Sequence, residues 1–164
     1  MLDVTPHLST PGFKANGGQA TLASRRERYA STDAEDRAFV SLLPVFRATG
    51  GLATGHEVSE RFVQRQPDGL SKLARAIAAG EMISFSWQAN LWLPMFQFDL
   101  HTMEMNMAVN KIISELRPIM DGWEITQWFA APHSALANVV PLEALHSMPE
   151  IILDAARTER NLHR

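Results

Sequence analysis

A few short stretches of this chain carry side chains able to hold a metal or attack a substrate. His56-Glu57 begins like the zinc motif H-E-x-x-H, but Glu60 stands where the second imidazole is needed, so the pair reads as the opening of a helix. His101, Met103, Met105 and Met107 place soft ligands at alternate positions, a donor set that suits copper(I). Alternate residues on a helix lie about 200° apart at ~3.6 residues per turn, so the methionines converge only in an extended segment. Core packing and first-turn surface account for them better. His133-Ser134 follows Pro132, but neighbouring side chains rarely face one another, and no nucleophile-elbow glycines flank the serine. Gly17-Gly18 and Gly50-Gly51 lack the Lys-Ser/Thr and the preceding strand of a phosphate loop. The expectation is a binding protein rather than an enzyme, with no cofactor.

Two other sets of residues suit binding. Ser71, Lys72 and Arg75 point away from the apolar face of a short helix, as a recognition helix requires. Arg61 and Arg65 precede them, and Gln88 and Asn90 would tip a hairpin wing; the alternative is that all seven are ordinary surface residues of a packing unit. Further on, Trp128, Phe129, Leu136 and Leu142 are candidate anchors for a protein partner, or else the seal of a helical bundle. Trp123 and Trp128 are expected inside, leaving His133, Ser134 and Asn138 within a partner's reach.

Charge divides along the same line. The 164 residues carry a net charge of −3, which argues against strong nonspecific nucleic-acid binding. Residues 54–80 are nevertheless net +1, and residues 99–130 are net −3. Any DNA contact is expected in the middle of the chain. Absence of cysteine excludes disulfides and thiol nucleophiles and suits a reducing cytoplasm. No basic region followed by an apolar run marks a secretory signal, and no run approaches the roughly 18 apolar residues of a membrane span.

The elements that must position these residues follow from periodicity. Residues 1–31, rich in Pro, Gly, Ser and Thr, read as a flexible arm in which Arg25, Arg26 and Arg28 form a small basic cluster. A first helix is expected from Thr32 or Asp33 with Phe39, Leu42, Leu43 and Phe46 inward, then a short helix opened by a Thr54/Glu57 capping box with Val58 and Phe62 inward. Pro67-Asp68-Gly69 makes a turn into a third helix with Leu70, Leu73, Ala74 and Ile77 inward. Met82–Trp87 and Leu91–Phe98 read as a hairpin, Pro94 marking an edge strand or a break.

A fourth helix shows Met105, Ala108, Val109, Ile112, Ile113 and Leu116 at helical spacing. Asp121 with Glu124 caps a fifth, Pro141 opens a sixth, and a last begins near Pro149 with Ile151, Ile152, Ala155 and Ala156 inward. The fold class expected is mainly α with one β-hairpin: an arm (1–31), a winged helix-turn-helix-like part (32–98) and a small helical bundle (99–164).

From Trp123 to Arg160 the chain reads W-x-x-x-x-W-F-x-x-P-x-x-x-L-x-N-x-x-P-L-x-x-L followed by a helix ending A-A-R. This resembles the toxin-binding domain of Xre/MbcA/ParS-type antitoxins, with His133 and Ala137 where the family has Asn and Gly. The preceding L-W-L-P-M-F-Q-F-D resembles the segment (F/Y)-P-x-(F/W)-Q-F that joins a helix-turn-helix to such a domain. The resemblance implies a DNA-binding regulator whose C-terminal bundle holds a toxin-like protein partner, and such a regulator is expected to be a homodimer. The alternative is an interaction module with no DNA role that binds a bacterial or phage protein.

Overall fold

The computed structural model describes the backbone of residues 18–163 and the side chains of residues 32–163. Helix α1 spans Gly18–Phe46, so the backbone from Gly18 onward is helical within the segment expected as an arm. Gln19 to Ala30 is rich in Ala and Arg and contains neither Gly nor Pro, a composition that favours helix. Residues 1–17 and the side chains of Arg25, Arg26 and Arg28 lie outside the described residues. After a 3-10 turn at Arg47–Thr49 come β1 (Leu52–Thr54), α2 (Gly55–Arg65), α3 (Gly69–Ala78), β2 (Phe85–Trp87) and β3 (Asn90–Pro94). Then follow α4 (Met107–Leu116), α5 (Gly122–Ala130), α6 (Pro141–Ala144) and α7 (Pro149–Leu162).

The protein is mainly α, and the expected hairpin belongs to a three-stranded antiparallel sheet in the order β1-β3-β2. β1, unforeseen because it is three residues long, pairs Leu52 with Pro94 and Thr54 with Trp92. β3 is therefore the central strand, and Pro94 ends it; Met95–Gln97 turns into a 3-10 helix where the strand was expected to continue to Phe98. On the other side Phe85 pairs with Trp92 and Trp87 with Asn90. Phe39 of α1 stacks on Trp87 at 3.8 Å and meets Trp92 edge-on at 4.9 Å, which anchors the hairpin by its aromatic face.

Residues from Phe39 onward form one compact unit. It contains two apolar clusters. The larger joins Leu42 and Phe46 of α1 to Val109, Ile112, Ile113 and Leu116 of α4, and to α5, α6 and α7. The smaller gathers Val58, Phe62 and Leu73 under the sheet with Met82, Met95 and Met103. Ile83 and Phe96 belong to the larger cluster, so the expected boundary at 98/99 passes through shared packing.

Several inward assignments shift. Leu43, Leu70 and Ile151 are exposed, since the faces that pack are Leu42/Phe46, Leu73 and Ile152/Leu153. Met105 precedes α4 instead of riding on it, because Asn106 caps that helix by accepting the Ala108 and Val109 N–H groups.

Candidate nucleic-acid interface and partner face

Thr54 and Glu57 form the expected capping box. The Thr54 N–H donates to Glu57 Oε2 at 2.7 Å, and the Glu57 N–H donates to Thr54 Oγ1 at 3.3 Å. The bonds that Glu57 accepts, from the Thr54 backbone N–H first and its hydroxyl second, hold the carboxyl below its ordinary value. Glu57 is thus committed to the cap, and His56 faces Glu60 across 3.6 Å on the exposed side of α2.

Gln66, Pro67 and Asp68 link α2 to α3. A Cβ at Gly69 would collide with the Phe62 carbonyl, so only glycine lets the two helices cross this closely. That approach buries Phe62 against Leu73 and turns Ser71, Lys72 and Arg75 outward, all exposed. Arg61 and Arg65 are exposed on α2. Gln88 and Asn90 are exposed at the hairpin turn, where Gln88 and Ala89 both have positive φ (46° and 59°) and Asn90 Nδ2 donates to the Gln88 carbonyl at 3.1 Å. α3 carries two cations and no acid.

Of the seven expected DNA contacts, Lys72 and Arg75 share a cleft of about 480 Å³. Its other charged members, Glu81 and Glu104, were not singled out from the sequence. Each lies in a loop, where no periodicity marks which way a side chain faces.

The methionine series disperses. Met103 is buried, Met105 takes an Asn110 Nδ2–H on its sulfur at 3.2 Å, and Met107 lies 68% exposed at the start of α4. Asp99 organises the turn before it by accepting the Thr102 and His101 N–H groups, which lower its carboxyl pKa.

At the C-terminal end, Asp121 and Glu124 form the second expected capping box. A Cβ at Gly122 would collide with the Ser84 carbonyl oxygen, so α5 begins hard against the segment before β2. Trp128, Phe129, Leu136 and Leu142 are all buried (5%, 0%, 8% and 6% exposed) and belong to the larger cluster, so of the two expectations for them it is the seal that their burial matches, with Phe129 packed on Phe96 at 4.7 Å. Trp123 is half-buried, edge-on to Phe85 at 5.1 Å.

His133 is half-buried too. Its Nε2–H donates to the Trp128 carbonyl at 2.7 Å while its ring lies 4.6 Å from the indole, so it fastens the loop to α5. Ser134 and Asn138 are exposed. Trp128 Nε1 is buried with no hydrogen-bond partner among the described residues.

Leu136 and Val139 line an apolar groove of about 340 Å³ with Met148 and Ile151 of the α7 start, which are 40% and 54% exposed. Neither Met148 nor Ile151 was singled out as a contact, because Ile151 fits the inward stripe of α7 as well as Ile152 does. Ala137, at φ 53° and ψ 39°, forms part of the groove wall.

Gln97 is the polar residue that sequence reasoning passed over. It is fully buried: its Oε1 accepts the Ile83 N–H at 2.8 Å, and its Nε2 donates to the Ile83 and Pro94 carbonyls, both at 2.9 Å. A lone amide in the apolar run Leu91–Phe98 was the available signal, since burial demands that its polar atoms be satisfied.

What fold and site together define is a mainly α protein with a small antiparallel sheet, an outward cationic helix beside a charged cleft, and an apolar groove at its C-terminal end. No family model, curated protein or solved structure matches the chain. Among the described residues no helix is long and apolar enough to cross a membrane.

Proposed function

We propose that this chain is a DNA-binding regulator of the antitoxin-like kind, reading duplex DNA through a winged helix-turn-helix and holding a protein partner at its C-terminal face. The observation that carries the first half is the order helix, strand, helix, tight turn, helix, hairpin, with the sheet strung β1-β3-β2. In that reading α3 is the recognition helix, with Ser71, Lys72 and Arg75 outward, Arg61 and Arg65 approach the phosphates, and the Gln88–Asn90 turn is the wing. In a dimer two such helices address half-sites one helical turn apart.

The test is retention of duplexes selected from a random-sequence pool by the full chain, across a salt series. A double substitution, Lys72→Ala with Arg75→Ala, should weaken retention and lower the slope of log affinity against log salt by about 2, at roughly 0.9 for each phosphate no longer neutralised. Failure to retain any duplex at low salt, or a slope unchanged in the double variant, removes this half of the reading.

A second reading, partner binding with no DNA role, is favoured by the apolar groove beside α7. The resemblance of residues 123–160 to a toxin-binding domain supports the same face, and Ala137 adopts a left-handed conformation at the place where that family has glycine. Ile151→Glu leaves the core untouched, because Ile151 is exposed, and should abolish co-purification with a toxin-like protein encoded beside this chain. Co-purification that survives Ile151→Glu would move the partner site elsewhere.

A further inference from the structure

The cleft beside α3 holds more chemistry than phosphate binding uses. Its floor is apolar, with Phe62, Met82 and Met103 nearly or wholly buried. On its rim stand two cations, Lys72 and Arg75, and two carboxylates, Glu81 and Glu104. Although opposite charges line one cavity, none of the four forms a side-chain ion pair among the described residues. Arg75 Nε donates to the Ser71 carbonyl at 3.2 Å, and its terminal nitrogens carry no hydrogen bond among those residues. At about 480 Å³ the space falls within the range of small-molecule sites.

We propose that this cleft binds a free α-amino acid with an apolar side chain the size of leucine or methionine. Its carboxylate is taken by Lys72 and Arg75, its ammonium by Glu81 and Glu104, and its side chain lies on Phe62, Met82 and Met103. The rim selects a zwitterion. A simple anion meets two carboxylates, a simple cation meets two cationic side chains, and a peptide bears only one of the two charges at each end. The floor selects an apolar side chain, and methionine thioethers adapt their shape to it. Lys72 and Arg75 are also the cations assigned to DNA, so occupancy withdraws them from phosphate; that consequence, unlike the site itself, rests on the DNA reading.

Calorimetric titration of the full chain with L-leucine and L-methionine tests the site, with leucinamide and N-acetyl-L-leucine as probes lacking one charge. The expected result is saturable one-site binding of at least one amino acid, with each derivative of leucine weaker by about tenfold or more. Glu81→Gln with Glu104→Gln should weaken L-leucine by about tenfold or more and leave N-acetyl-L-leucine no weaker. Lys72→Gln should weaken L-leucine and spare leucinamide, a second variant that guards against a fold defect in the first. No saturable heat by about 10 mM, or N-acetyl-L-leucine bound as tightly as L-leucine, overturns the proposal. The titration contains no DNA, so a chain that retains no duplex can still pass it, and a chain that retains DNA can still fail it.

Discussion

The two apolar clusters are built from one compact unit by different means. All three buried methionines among the described residues, Met82, Met95 and Met103, lie in the smaller cluster under α2, α3 and the sheet. The larger cluster is filled by aromatic rings and branched aliphatic chains, Phe46, Phe129, Ile112, Ile113, Ile125 and Ile152 among them, and it buries no methionine. Branched and aromatic side chains have few rotamers and specify one packing, whereas methionine fills irregular space and yields. The charged cleft opens over the yielding cluster. Across the stiff one, Glu115 of α4 accepts hydrogen bonds from Arg160 Nη1 at 2.8 Å and Arg157 Nε at 3.4 Å, both on α7. The contrast teaches that one region is packed as a frame and the other with side chains that can yield.

Gln97 sits where the two meet. Its side chain ties Ile83 of the larger cluster to Pro94 at the end of the central strand, next to Met95 of the smaller. Gln97→Leu leaves three buried backbone groups unpaired, each worth about 1–3 kcal/mol, so the variant should lose at least roughly 3 kcal/mol in chemical denaturation. The shape of the transition sharpens the comparison. Wild type should unfold in one step by fluorescence and by circular dichroism alike, and the variant in two, the smaller cluster first. A single transition of unchanged midpoint would show that the amide does not hold the clusters together.

Much of this frame is legible in the order of the amino acids. The capping boxes at Thr54/Glu57 and Asp121/Glu124 are local, four-residue arrangements, and each forms as expected. So does the α4 stripe of Val109, Ile112, Ile113 and Leu116, because one helix face must be buried whatever lies opposite. What escapes depends on partners distant in sequence: β1 exists only because β3 pairs with it, and Glu81 and Glu104 come to line one cleft only through the fold. Exposed Ile151 beside buried Ile152 is the same failure on a finer scale, since periodicity locates a stripe but not its edge. At the candidate sites, outward Ser71, Lys72 and Arg75 follow from periodicity, while the groove beside α7 does not.

The frame's polar seal carries a pH signature. The Arg160 hydrogen bond, then that of Arg157, holds the Glu115 carboxyl below its ordinary 4.5, with the side chain 23% exposed. Because the folded-state value is the lower one, the contribution is fully present above 4.5 and is lost as pH falls through the depressed value. Glu115→Gln should therefore cost about 1 kcal/mol at neutral pH and flatten the decline in melting temperature between about pH 5 and 3. Some decline should remain, because the Glu57 and Asp99 carboxyls are lowered too. An acid profile unaltered by the substitution would mean that the α4–α7 contact is held by packing alone.

The smallest expected effects lie at the edges of both regions, where each carries a consecutive pair of non-glycine residues at positive φ. Gln88 and Ala89 (46° and 59°) tip the hairpin; Ala137 and Asn138 (53° and 63°) close the loop over the apolar groove. Left-handed backbone costs an alanine about 1–2 kcal/mol, and glycine removes that cost while giving back about 0.5–1 kcal/mol through its freer unfolded chain. Ala89→Gly and Ala137→Gly should thus each raise stability by about 0.5–1 kcal/mol in urea denaturation. Strain of this kind can persist where function uses a rigid shape, so the two variants separate the regions. If the hairpin tip is a wing, Ala89→Gly should stabilise the chain yet weaken DNA retention and spare partner binding, whereas Ala137→Gly, which restores the glycine of the family the chain resembles, should stabilise the chain and leave partner binding intact. An Ala89→Gly variant that gains stability with DNA retention intact would assign the hairpin turn to chain reversal alone.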